Sequence, residues 1–246
     1  MNLNKQENNQ LVLSEKSVKI QKMFDKISNK YDFLNRLLSA GQDTKWRNKM
    51  ICSFPKCHSG ILYDVACGTG DVVFQAIDKR KDFKTFYGFD ISAGMLEQAK
   101  IRSRKNNINS HINFIQASAE SLPVENNSAD CLTISFGFRN VDNREIALNE
   151  FNRVLKTSGT LFILEFFPAD NNLFAKLFDF YFKKILPKIG GIFSDRSAYE
   201  YLPNSVSTMP SAENFRKMLT DAGFESIEQT KWLGGATRLF KATKKS

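Results

Sequence analysis

An α/β fold with a mostly parallel sheet is what this sequence predicts, and three observations carry it. Apolar runs that read as strands alternate with helical stretches from residue 61 to 166, the pattern of a sheet with helices on both faces. The first run, Leu62-Tyr63-Asp64-Val65-Ala66, enters a glycine turn, Cys67-Gly68-Thr69-Gly70-Asp71, that opens a helix. The last two runs meet at Gly234-Gly235, which favours a hairpin and makes the final strand antiparallel. Seven strands result.

Residues 1–17 are polar, Asn- and Gln-rich, and read as a disordered tail ahead of a single domain over 18–246. Residues 18–50 read as N-terminal helices, because Val18, Met23, Phe24, Ile27, Tyr31, Leu34, Leu37 and Leu38 recur at roughly three- to four-residue spacing. Gly41 breaks that pattern, and Trp46-Arg47 opens the next stretch. The series then predicts strand 61–66, helix 70–79, strand 86–90, helix 93–106 and strand 112–116. Strand 131–135, helix 143–155 and strand 160–166 follow, with turns at Asn126-Asn127-Ser128 and Ser158-Gly159. After Pro168 the alternation stops, and 168–210 is an insertion rich in aromatics and glycine. Helix 211–222 ends at Gly223, suited to a left-handed cap, and strands 224–231 and 237–243 close the chain.

The chain has 246 residues and carries a formal charge of +9. Its lysines are scattered singly or in pairs apart from Lys241, Lys244 and Lys245, so the charge reads as a solvated surface and no nucleic-acid partner is expected. Four cysteines and two histidines offer no C-x-x-C or H-x-x-x-H spacing. No metal site or disulfide framework is expected, and reduced thiols point to a cytoplasmic location. The first seventeen residues hold no apolar signal-peptide core, and no run approaches the ~20 apolar residues of a membrane span.

The glycine turn and Asp90 describe a nucleoside pocket. Asp90 ends the strand Phe86-Tyr87-Gly88-Phe89, twenty positions after Gly70. Glycines let the backbone approach a ligand, and a carboxylate at the next strand end can grip ribose hydroxyls. A dinucleotide site would continue as G-x-G-x-x-G, whereas the third position here is Val73. That tilts the reading from NAD toward a smaller nucleoside such as S-adenosylmethionine (SAM).

Further signatures run along the chain: Phe24-Asp25-Lys26-Ile27 with Tyr31-Asp32, Trp46-Arg47, Asp64 through Asp71, and Asp90-Ile91-Ser92 with Met95-Leu96. Ala119-Glu120-Ser121-Leu122-Pro123 and Ile134-Ser135-Phe136-Gly137-Phe138-Arg139-Asn140-Val141 complete them. Through these residues the chain resembles the ubiquinone/menaquinone biosynthesis C-methyltransferases from about 18 to 243. The octapeptide is the most specific of the matches; the glycine turn alone says only SAM.

The resemblance implies a Rossmann-like SAM-dependent methyltransferase fold and a role for each match. Gly68, Thr69 and Gly70 would sit against the methionine and ribose part of SAM, with a helix cap as the alternative for Thr69. Asp90 would accept from the ribose hydroxyls, or else cap the helix that starts at Ala93. Ser118 and Ala119 would flank the adenine, and Ser135 would lie beside the sulfonium. Asp64 would orient the methionine amino group or serve structure alone. The family usually has Asn or Asp where this chain has Ser118, and a Pro-Gly-Gly turn where it has Thr157-Ser158-Gly159. Gln42-Asp43-Thr44-Lys45 also departs from its pattern.

The activity implied is methylation of a ring carbon on a reduced, prenylated quinone precursor, with demethylmenaquinol favoured over the benzoquinol. A deprotonated quinol hydroxyl pushes electron density onto the ortho carbon, so alignment and a proton acceptor matter more than a Lewis acid. Arg139 and Asn140 are the catalytic candidates: a guanidinium can stabilise a developing phenolate, and an amide can hold a hydroxyl or a water. The alternative is that both pin the loop after strand four.

Phe174, Leu177, Phe178, Tyr181 and Ile185 share one face of a stretch in the insertion. Such a helix can cover a core, line a prenyl channel or lie on a membrane surface. With the N-terminal helices it reads as a lid, bordered by Tyr199-Glu200-Tyr201-Leu202, Ser205 and Met209-Pro210. Contact with the inner membrane face, and a homodimer, are left open. So are another small-molecule or RNA acceptor, an NAD-dependent dehydrogenase and a non-enzymatic SAM-binding regulator. Val73 and the hairpin speak against the dehydrogenase. The absence of an N/D-P-P-[YF] stretch speaks against amino-methylating nucleic-acid enzymes.

Overall fold

The computed structural model describes residues 13–28, 36, 39, 41–108, 111–168, 170, 201 and 204–246. Among the described residues two helices lead, α1 (Glu15–Ile27) and α2 (Gln42–Cys52). The alternating core follows as β1 (Gly60–Val65), α3 (Asp71–Lys79), β2 (Phe83–Asp90), α4 (Ala93–Lys105), β3 (Ile112–Gln116), β4 (Ala129–Ser135), α5 (Arg144–Val154) and β5 (Leu155–Phe166). The chain ends with α6 (Ala212–Asp221), β6 (Phe224–Trp232) and β7 (Thr237–Lys244).

The seven strands run in the order β3-β2-β1-β4-β5-β7-β6. Every pairing from β3 to β5 is parallel, and β7 lies antiparallel to both β5 and β6. Strand order reverses between β1 and β4, and in such sheets a crevice opens beyond the carboxyl ends of the diverging strands. Side-chain alternation builds a core on each face. Leu62, Phe86, Cys131 and Phe162 pack with α2 and α3 on one side, while Val65, Phe89, Ile134 and Ile163 pack with α5 and α6 on the other. Many of the phenylalanines serve the second core, where Phe215 meets Phe138, Phe167 and Phe240 with ring centroids 5.3, 5.2 and 4.9 Å apart.

Two expectations need correction. The ordered chain begins before residue 18, because Ser14 caps α1 by accepting from the Ser17 amide at 3.1 Å, and Ser17 is buried. A serine followed by an acidic first turn is a helix start that the polar composition of the tail obscures. β5 begins at Leu155 rather than 160: Ser158 takes a left-handed φ of 62° and the chain stays in the strand, with a register shift against β4. The expected lid helix at 173–186, with Tyr31, Asp32, Leu34, Leu37, Leu38, Tyr199, Glu200 and Leu202, lies outside the described residues. Among those described, no helix is long and apolar enough to cross a membrane.

Candidate active site

The crevice holds two cavities that share Ala66, Gly68 and Ser135. The larger, about 680 Å³, is lined by Asp90, Ile91 and Met95 on one side and by Ser118, Ala119, Ser135 and Asn140 on another. Ser17, Ile20 and Phe24 of α1 complete its wall. The smaller, about 300 Å³, is lined by Arg47, Asp64, Thr69 and Asp71.

Asp90 sits where β2 ends. The Gly68 amide donates to its Oδ2 at 2.8 Å and the Ser92 amide to its Oδ1 at 2.9 Å. Burial pushes the Asp90 carboxyl up to about 6, against the pull of those two amides. The cap of α4 is the Ser92 hydroxyl, which accepts from Met95 N at 3.1 Å, so Asp90 is not that helix's cap. Gly68 holds a φ of 55°, and the turn can therefore aim its amide back at Asp90.

Gly70 lines neither cavity. Its φ of 87° and the Phe74 ring, 2.8 Å from where a Cβ would stand, make it a packing glycine at the cap of α3. Thr69 is buried beside the smaller cavity, and its Oγ1 accepts from Arg102 Nη1 at 3.1 Å. The helix-cap alternative for Thr69 falls away, because the cap position is Gly70. The Ser118 hydroxyl accepts from the Glu120 amide at 3.2 Å, and Ser118 and Ala119 both line the larger cavity.

Asp64 is fully buried, and Thr133 Oγ1 donates to its Oδ1 at 2.7 Å. Among the described residues its Oδ2 has no partner, and neither does the buried Ser135 Oγ. Burial drives the Asp64 carboxyl up to about 7; the Arg47 guanidinium pulls it down, while Asp90 and Asp71 add to the rise. Arg47 is itself held by Asp43 at 2.5 Å and Asp71 at 3.5 Å. An orphaned buried carboxylate oxygen with a neighbouring orphaned hydroxyl suits a cation bearing donors. A buried strand-end carboxylate, Asp90, next to apolar Ile91, Met95 and Ala117 suits a nucleoside. The two cavities therefore fit SAM: nucleoside in the larger, amino-acid end in the smaller.

The loop after β4 carries the octapeptide. Ala66 and Phe136, at the ends of β1 and β4, both take left-handed φ values, 51° and 60°, and strain of this kind gathers at functional sites. Asn140 faces the larger cavity, and Tyr201 Oη donates to its Oδ1 at 3.0 Å. Arg139 does not line that cavity. Its guanidinium donates to Glu165 Oε1 at 2.7 Å, to Phe136 O at 2.5 Å and to Ser205 Oγ at 3.3 Å, all buried. Of the two roles expected for Arg139, meeting the acceptor or pinning the loop after strand four, these contacts bear on the second. Glu165, Asp25 and Asp142 belong to this neighbourhood and were not singled out individually by sequence. The signal for Glu165 is a lone charge inside Leu161-Phe162-Ile163-Leu164-Glu165-Phe166. No group of three or more His, Cys, Asp or Glu among the described residues could hold a metal ion.

Fold and site together define a SAM-dependent methyltransferase. Solved structures of that class share the architecture: one from Aquifex aeolicus aligns at TM-score 0.59 and 16% identity over 92% of this chain and 97% of its own. Another, from Thermotoga maritima, aligns at TM-score 0.64 and 20% identity over 91% and 99%. The profile of the ubiE/COQ5 methyltransferase family matches residues 12–244, and the chain belongs to that family. It is 40% identical over 232 residues to a protein of Geotalea uraniireducens, covering 94% of this chain and 99% of that one. A Campylobacter jejuni protein is 41% identical over 239 residues, covering 94% and 99%. Both bear the name ubiquinone/menaquinone biosynthesis C-methyltransferase.

Proposed function

We propose that this protein methylates a ring carbon of a reduced, prenylated quinone precursor, and that demethylmenaquinol is its acceptor. The reading is supported by its relatives' names and by one observation: Asn140, from the most specific motif, borders the same cavity as the ribose carboxylate Asp90. The alternative acceptor is the benzoquinol of ubiquinone biosynthesis.

When bound, SAM supplies an electrophilic methyl group on a sulfonium. The chain's own residues have three tasks. Asp90, Gly68 and the orphaned Asp64 oxygen hold the two ends of the nucleoside. Apolar Phe24, Met95, Phe136 and Val141 exclude water from the space between, which strengthens any charge interaction inside it. Asn140, with its oxygen engaged by Tyr201, offers its amide N–H groups to a quinol oxygen, where they stabilise the phenolate that makes the ortho carbon nucleophilic. Arg139 serves as a positioning residue: anchored on Glu165, it fixes the turn that presents Asn140. A cytoplasmic protein that meets its prenylated acceptor at the inner membrane face fits this chemistry.

The test offers labelled SAM with reduced naphthoquinol and benzoquinol acceptors to the pure protein and identifies products by mass spectrometry. A ring-methylated naphthoquinol is expected. Methylation of the benzoquinol alone would move the assignment to the ubiquinone branch, and transfer to neither would overturn the proposal.

A further inference from the structure

α1 forms one wall of the larger cavity and is tied by polar contacts at both ends to the loops that build the site. Near its C-terminus, Asp25 Oδ1 accepts from the Ser92 hydroxyl at 2.5 Å and from the Gly94 amide at 3.0 Å. Ser92 in turn donates its own amide to Asp90 at 2.9 Å. One serine therefore has α1 on one side and the ribose carboxylate on the other. Gly94 makes the approach possible: a Cβ there would stand 3.0 Å from Asp25 Oδ1 and 3.2 Å from Asp25 Cα. The carboxylate also lies at the N-terminus of α4, where exposed amides favour negative charge.

At the other end, Ser17 Oγ donates to Asp142 Oδ2 at 2.6 Å. Lys16 Nζ reaches Asp142 Oδ1 at 3.3 Å and donates to Val141 O at 3.2 Å. These contacts fall on the loop that carries Asn140. Between the two ties, Ile20 and Phe24 face the cavity. The buried residues of α1 are few, Ser17, Ile20 and Ile27. Polar ties of this kind exchange with water at small net cost, unlike the apolar seams that hold α2 and α3.

We propose that α1 is the closing wall of the nucleoside site and that Asp25 is its positioning residue, holding Ser92, and through it Asp90, in the geometry that receives the ribose. The sequence motif Phe24-Asp25 thereby acquires two tasks, an apolar face toward the cavity and a carboxylate toward the ribose loop. The inference rests on SAM binding alone and not on the identity of the acceptor.

Calorimetric titration of the full chain with SAM, without acceptor, tests it in wild type, Asp25→Ala, Asp25→Asn and Gly94→Ala, with Lys19→Ala on the exposed face of α1 as the control. Hydrogen exchange of residues 15–27 with and without SAM is read alongside. Asp25→Ala and Gly94→Ala are expected to weaken SAM binding about tenfold, the worth of one charge-assisted hydrogen bond. Asp25→Asn, which keeps an acceptor oxygen, loses less, and Lys19→Ala nothing. Wild-type α1 gains protection on adding SAM, and Asp25→Ala does not. The proposal is overturned if both variants bind SAM like wild type. It is equally overturned if α1 shows no SAM-dependent protection, or if weaker binding only tracks a lower melting temperature of the ligand-free variants. A wild type that bound no SAM would strike at the methyltransferase reading itself.

Discussion

Glu165 grips Arg139 twice from beneath the active-site loop: its Oε1 accepts from the guanidinium at 2.7 Å and its Oε2 from the Arg139 backbone amide at 3.1 Å. The Glu165 side chain is wholly inaccessible and that of Arg139 is 8% exposed. Removing one partner of a buried pair strands the other charge, a cost of about 3–5 kcal/mol. Glu165→Ala should therefore lower the unfolding free energy by that much, read as a lower urea midpoint, and Glu165→Gln by less, since an amide oxygen can still accept. A Glu165→Ala protein that unfolds at the wild-type midpoint would show that the pair does not hold the loop.

If Arg139 acts through the loop and Asn140 meets the acceptor, their variants will differ in kind. Arg139→Ala should lose both stability and turnover, while Asn140→Ala should lose turnover with stability and SAM affinity close to wild type. Tyr201→Phe removes only the hydroxyl that engages Asn140, and should lower kcat about tenfold, the loss of one hydrogen bond to a reacting group's partner. The double variant Tyr201→Phe/Asn140→Ala should be no slower than Asn140→Ala, because residues acting in one chain of contacts are not additive. Steady-state kinetics on all four decide it, and additive losses would separate the two residues.

The fold was legible because its signal is local. Alternating apolar runs marked every strand, and Gly41, Gly223 and Gly234-Gly235 marked breaks that the structure keeps. The meeting of Gly68 with Asp90 was legible for the same reason, since the two belong to neighbouring strand ends with a known spacing. What escaped depends on distant partners. Asp25 meets Gly94 across 69 positions and Ser17 meets Asp142 across 125, and no periodicity reports such a meeting. Arg139 suits a phenolate by its type alone, while its partner Glu165 lies 26 positions on and their meeting is visible only in space.

Gly137 is held to its identity by Ala66. A Cβ at 137 would overlap the Ala66 methyl, with Ile134 Cγ1 3.5 Å away on the other side. Its own φ of −112° is open to any residue, so the constraint is contact between the ends of β4 and β1 and not backbone strain. Both residues line the larger cavity. Gly137→Ala should push the two loops apart and weaken SAM binding severalfold at a cost of about 1–3 kcal/mol in stability, as overpacking does. Titration with SAM and urea unfolding check it, and an unchanged affinity would mean that the loops have room to spare.

Asp64 and Asp90 make both stability and SAM binding depend on pH. Their carboxyls are raised from 3.8 to about 7 and about 6, chiefly by burial. Between about pH 4 and 7 the folded protein thus binds more protons than the unfolded chain, and its stability must fall as pH rises through that window. The contribution is fully present below about pH 4 and gone above the folded values. A cation at the amino-acid end reverses the preference, because its positive charge favours the Asp64 carboxylate over the acid. SAM should then bind more tightly as pH rises from 6 toward 7 and should release a proton on binding. Calorimetry near pH 6.5 in two buffers of different ionisation enthalpy measures that proton directly. Asp64→Asn, which cannot ionise, should largely flatten the affinity profile while removing part of the loss of stability between pH 4 and 7. Proton release that persisted undiminished in Asp64→Asn would assign the effect to Asp90 at the ribose end instead.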